Sequence, residues 1–233
     1  ESRGLGDVYK RQVLDVQGVS KSYKLSGNSS DVHTAFDCYS ISKTKIEALD
    51  DLMDDPNAVD DDGVAYVDMK WEYLFTLGKY HARWSELTDT DFHPVYNREK
   101  GAKSVIAVAD VGDYDLIDED MATEESGQTG FVYLRKIIED CQARGIDVLL
   151  VHLPYPANEQ QQMDANAVAY IAEDYGLNYI DFVSMDQVAD YATDCFDAHE
   201  HLNPSGARKV SDYLGRYITE HYDVADRRGE AAY

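Results

Sequence analysis

The residues whose types and spacing carry the most chemistry lie near the carboxyl terminus, in Asp194-Cys195-Phe196-Asp197-Ala198-His199-Glu200-His201-Leu202-Asn203-Pro204-Ser205-Gly206. An imidazole that takes a proton from a hydroxyl needs a carboxylate on its other ring nitrogen, which fixes the tautomer and stabilises the imidazolium that forms. Asp197 and His201 suit that pairing, His201 as general base and acid and Asp197 as its orienter. The same loop admits a second chemistry: Asp197-x-His199-x-His201 sets three ligands on one side of an extended segment, a donor set that zinc accepts. No further ligand cluster with convincing spacing occurs elsewhere, so neither a metal nor a cofactor is expected. A third reading needs no chemistry, only a solvated acidic loop with a capping histidine. No serine of the chain makes a good nucleophile. Ser29 and Ser30 follow Gly27-Asn28 without the sharp strand-to-helix turn that exposes one, and Ser205 serves the amino end of the last helix.

The elements that must position this loop are legible on both sides of it. Leu134, Ile137, Ile138 and Cys141 recur at helical spacing, Gly145 stands where a C-cap belongs, and Ile146 to Leu153 is an apolar strand ending at Pro154-Tyr155-Pro156. The unit then repeats, with Met163, Ala167, Val168 and Ile171 on a helix, Gly176 as its cap, and Leu177 to Phe182 as a strand. The last helix starts with Asn203 as N-cap and Pro204 at its first position, and presents Val210, Leu214, Tyr217 and Ile218 on one side. Alternation of this kind predicts an α/β fold, a parallel sheet covered by helices on both faces. The Asp/His loop then faces the crevice at the carboxyl ends of the strands.

Towards the amino terminus, Gly6-Asp7-Val8-Tyr9-Lys10-Arg11-Gln12 resembles the conceptual translation of a sequencing-library adapter, and residues 1–12 are read as such a scar. Val13 to Val16 is expected as a buried strand, with a polar loop from Gln17 to Ser30 leaving its carboxyl end. Ile46, Leu49 and Met53 predict a helix that stops at Asp54-Asp55-Pro56-Asn57. Residues 56–128 read as an insertion. It holds the aromatic-rich segment from Trp71 to Phe92, which is either a satellite core or a cleft wall, and the apolar run Val105 to Val111, expected as a peripheral strand or insertion. Residues 223–233 have no periodicity and are read as a truncated tail.

Composition limits the partners. The 233 residues carry 45 acidic against 21 basic side chains, a formal net charge of -24 with no basic stripe, which disfavours nucleic acid. Aliphatic runs such as Val148-Leu149-Leu150-Val151 are far short of the roughly 18 residues that span a bilayer. Cys38, Cys141 and Cys195 fit neither a disulfide framework nor a thiolate zinc site.

Asp197 through His201, followed by Leu202-Asn203-Pro204-Ser205-Gly206-Ala207, resembles the carboxyl-terminal Asp/His block of SGNH/GDSL hydrolases, in particular their membrane-anchored, DltD-like bacterial group. Leu150-Val151-His152-Leu153-Pro154-Tyr155-Pro156 and Leu77 to Thr88 are similar to further blocks of that group, so the likeness covers most of residues 13–229. It implies a three-layer α/β/α sandwich, with a nucleophilic serine after the first strand. No such serine block is present, so residues 13–222 would be part of the domain, the serine and a membrane anchor lying upstream, and the piece by itself inactive. The implied activity is that of an esterase or acyltransferase acting on O-acyl groups of a small-molecule or cell-envelope glycan substrate, outside the cytoplasm. His81, Arg83, Trp84 and Tyr155 are the candidates for lining its cleft, since a guanidinium beside aromatic rings suits a sugar-like ligand. Two departures stand out. Asp197 precedes His201 by four residues where the family has three, which leaves Asp194 and His199 as fallbacks, and the family's oxyanion block is not recognisable. A non-catalytic domain that uses the same cleft for a cell-surface partner is the alternative.

Overall fold

The computed structural model describes residues 11–20, 29–54, 58–59, 63–75, 89, 105–112, 114–118, 120–122, 129–185, 188–197 and 201–224. The chain divides into two compact units, Ser22–Gly101 and Glu1–Lys21 with Ala102–Tyr233. In unit Ser22–Gly101 the described residues include three helices, α1 (Ser29–Phe36), α2 (Lys43–Leu52) and α3 (Tyr66–Leu74). The Ser42 hydroxyl starts α2 by accepting the Lys45 N–H at 3.1 Å. As the spacing predicts, Leu49 and Met53 are buried with Ile46 packed beside them, against Val32, Tyr66 and Tyr73.

The other unit contains the sheet. Strands β1 (Arg11–Asp15), β2 (Asp147–His152) and β3 (Asn178–Asp181) are parallel, in the order β1-β2-β3. Three helices accompany them: α4 (Thr129–Ala143), α5 (Glu159–Tyr175) and α6 (Pro204–His221). The chain is therefore α/β with a parallel sheet. Helix α5 opens on a capping box between Asn158 and Gln161, and closes on Gly176 at φ +65°, the left-handed conformation that glycine adopts without strain. On one side of β2, Val148 and Leu150 meet Leu134 and Ile138 of α4 and Val168 and Ile171 of α5. On the other, Leu149 and Val151 join Ile180, Phe182 and Val210 of α6. Covered on both faces, β2 exposes only its first residue, which is why its sequence is a continuous apolar run.

Three expectations change. The first strand begins at Arg11, not Val13, and is buried only in part: Leu14 packs against the core and Val16, just past the strand's end, is 2% exposed, but its residues alternate and Val13 is 48% exposed. It pairs with β2 alone among the described strands, and the α6 core packs on β2 and β3. Val105 to Val111 forms no strand. Ile106 is 88% exposed, and what holds the run is two backbone bonds to the 190–197 loop, Ala109 N–H to Cys195 O (2.9 Å) and Val111 N–H to Tyr191 O (3.2 Å). Ile137, expected on the buried face of α4, is half-exposed, since that face centres on Phe131, Leu134, Ile138 and Cys141. No helix among the described residues is long and apolar enough to cross a membrane.

Candidate active site

Between β3 and α6, residues 194–196 pair with residues 201–203. Cys195 and Leu202 form an antiparallel bridge, the Phe196 N–H donates to His201 O at 3.1 Å, and the Asn203 N–H donates to Asp194 O at 2.8 Å. The turn brings together side chains four residues apart. His201 Nδ1 lies 3.0 Å from Asp197 Oδ2 and 3.3 Å from Oδ1, and Oδ1 also accepts the His201 backbone N–H at 3.3 Å. Phe196 stacks on the imidazole with ring centroids 5.3 Å apart and planes 19° from parallel. An Nδ1–H donated to the carboxylate leaves Nε2 as a proton acceptor. Among the described residues nothing hydrogen-bonds to Nε2, and the His201 side chain is 63% exposed. The pair can therefore take a proton from a hydroxyl brought to it and hold the resulting charge.

The loop is anchored from below by the start of α6. Asp194 is fully buried; its Oδ2 accepts from Lys209 Nζ at 2.6 Å and from the Asp190 N–H at 2.8 Å. Burial alone would raise its pKa, but the hydrogen bonds from Lys209, the Asp190 amide and the Ser205 hydroxyl outweigh this and hold the carboxyl below its ordinary value. With its carboxylate so engaged, Asp194 is a clamp on α6 and does not pair with His201. Asn203 works in both directions. Its Oδ1 accepts the Ser205 and Gly206 N–H groups at 2.9 and 3.2 Å, while Nδ2 donates to Thr193 O at 2.7 Å. Gly206 makes this contact possible, since a Cβ there would sit 2.6 Å from Asp194 O. Cys195, buried beside the pair, is a thiol whose pKa is pushed up first by burial and then by the charges of Asp194 and Asp197.

Tyr155 is 2% exposed, packed with Ala157 and Val183, so it belongs to the core and lines no open cleft. His81, Arg83, Trp84 and the fallback base His199 lie outside the described residues. Ser205 stands in the first turn of α6, as expected. A second histidine–carboxylate contact went unanticipated: His152 and Asp181 are register partners at the ends of β2 and β3, with Nδ1 3.4 Å from Asp181 Oδ1 and Nε2 3.2 Å from the Tyr155 hydroxyl. The signal for it was present in the sequence, as a His and an Asp each closing a predicted parallel strand. This cluster is buried, His152 at 3%, and linked through Val183 to Tyr114 and Tyr191. Burial pushes the phenols of Tyr114 and Tyr191 above their ordinary values and keeps both neutral.

Among the described residues, no group of three or more His, Cys, Asp or Glu is placed to hold a metal ion. Neither protein-family models, nor curated proteins, nor solved structures give a match to this chain.

Proposed function

We propose that the chain is part of a serine esterase or acyltransferase of the SGNH type, built as a three-layer α/β/α sandwich and acting on O-acyl groups of a glycan or small-molecule substrate. His201 is its general base and acid and Asp197 orients it. The nucleophilic serine comes from a strand preceding β1 in a longer polypeptide. The observation that carries this reading is the 3.0 Å contact between His201 Nδ1 and Asp197 Oδ2, with no described residue hydrogen-bonded to Nε2. In the reaction, Nε2 accepts the serine proton as the hydroxyl attacks the ester carbonyl, and the imidazolium then returns that proton to the leaving alcohol. The four-residue spacing is compatible with this role because the two side chains meet at hydrogen-bond distance, within the segment between the bridged residues Cys195 and Leu202. The test is hydrolysis of p-nitrophenyl acetate by the polypeptide extended upstream of Val13. His201→Ala is expected to reduce kcat about 10⁴-fold and Asp197→Asn at least about 100-fold, with KM little changed. Turnover unaffected by His201→Ala would exclude His201 as the base, and no turnover by the wild-type polypeptide would favour the non-catalytic, partner-binding alternative.

A further inference from the structure

A cleft of about 500 Å³ opens on the outer side of β3, between α5 and α6. Its volume falls within the range of small-molecule sites. Four tyrosines line it, Tyr170 from α5, Tyr179 from β3, and Tyr213 and Tyr217 from α6, together with Asp120 and Asp181. Two of the rings are held in place: Tyr213 packs edge-on against Phe182 at 5.2 Å, and Tyr217 stacks on His221 at 3.9 Å. Tyr170 is half-exposed.

The polarity of the lining narrows the ligand. Among the described residues no Lys or Arg contributes to it. Several of its donors are already committed to protein carbonyls: Asn166 Nδ2 to Asp118 O and Met121 O, the Tyr179 hydroxyl to Ala165 O, and the Ser184 hydroxyl to Asp181 O. Asp181, by contrast, makes its contacts with the Val183 N–H and His152 through Oδ1. The cleft thus offers aromatic rings and carboxylate acceptors, with the Tyr170, Tyr213 and Tyr217 hydroxyls as its remaining donors. An anion meets two acidic side chains on a protein of net charge -24, and a neutral ligand leaves those charges uncompensated. An alkylated ammonium group needs only counter-charge and aromatic faces.

We propose that this cleft binds an organic ammonium cation, with Asp120 and Asp181 as its counter-charge and Tyr170, Tyr213 and Tyr217 as its walls. The site is separate from the His201 pair and does not depend on that reading. Calorimetry on the full chain at low salt tests it with two probes of one shape, choline and its uncharged carbon isostere 3,3-dimethylbutan-1-ol. Choline is expected to bind at near-unit stoichiometry and at least about ten-fold more tightly than the alcohol; Tyr170→Ala should weaken it about three- to thirty-fold, while Tyr170→Phe keeps it. Equal affinity for the two probes, no binding of choline, or tighter binding of methyl glucoside would overturn the proposal. So would choline binding that ignores Tyr170→Ala, since that is the behaviour of diffuse counter-ions on an acidic surface. Because Tyr170 is half-exposed, its variants should fold, and circular dichroism checks that they do.

Discussion

Asp194 and Asp197 stand three residues apart and do opposite work. Asp197 keeps 31% of its side chain exposed and lies beside an imidazole, whereas Asp194 is buried under Lys209 and a backbone amide. The folded-state pKa of Asp194 is depressed, so its stabilising effect is complete above the unfolded value of about 3.9 and is lost as pH falls through the folded value. Asp194→Asn should therefore cost about 1–3 kcal/mol at neutral pH, and the difference from wild type should shrink as the pH is lowered below about 4. Urea unfolding at pH 7 and pH 3 measures both, and equal stability at pH 7 would show that the clamp contributes nothing. The residue types at this site were legible from the sequence. So was the choice of Asp197 over Asp194 as the partner of His201; the role of Asp194 was not, because its burial depends on where Lys209 arrives in the helix that follows the loop.

Helix α6 shows how an element carries a site. Asn203 both caps it and ties it to Thr193, so Asn203→Ala should destabilise the protein by about 2 kcal/mol or more. Asn203→Asp keeps the acceptor but loses the donor to Thr193 O, and should recover only part of that loss in thermal unfolding. Full recovery would reduce Asn203 to a simple cap. The alternation α4-β2-α5-β3-α6 was readable because each helix has an apolar stripe, several have a polar or glycine cap, and β2 is apolar throughout. The edges were harder. Val13 to Val16 and Val105 to Val111 have the same apolar character as buried strands, yet a local run does not say whether a neighbour will cover it. Tyr155 failed in the opposite sense: an aromatic after a strand end looks like a cleft wall, and here it fills the space above His152.

At the scale of the molecule, charge dominates. With 45 acidic and 21 basic side chains, like-charge repulsion opposes the folded state, and it should weaken as the Debye length falls from about 30 Å near 10 mM salt to about 8 Å at 150 mM. The urea midpoint is expected to rise over that interval; a midpoint that falls with salt would mean that attractive pairs such as Lys209–Asp194 outweigh the net repulsion. The same excess charge attracts the ammonium ligand proposed for the tyrosine cleft and repels polyanions. The central claim is that His201 and Asp197 serve a serine that lies before β1. Its most direct test is fluorophosphonate labelling of the polypeptide extended upstream of Val13, read by mass spectrometry of the labelled peptide. The result expected is a single modified serine upstream of β1, labelled about 10³-fold or more slowly in His201→Ala. Labelling that proceeds equally fast without His201, or no labelling of the wild-type protein at all, would contradict it.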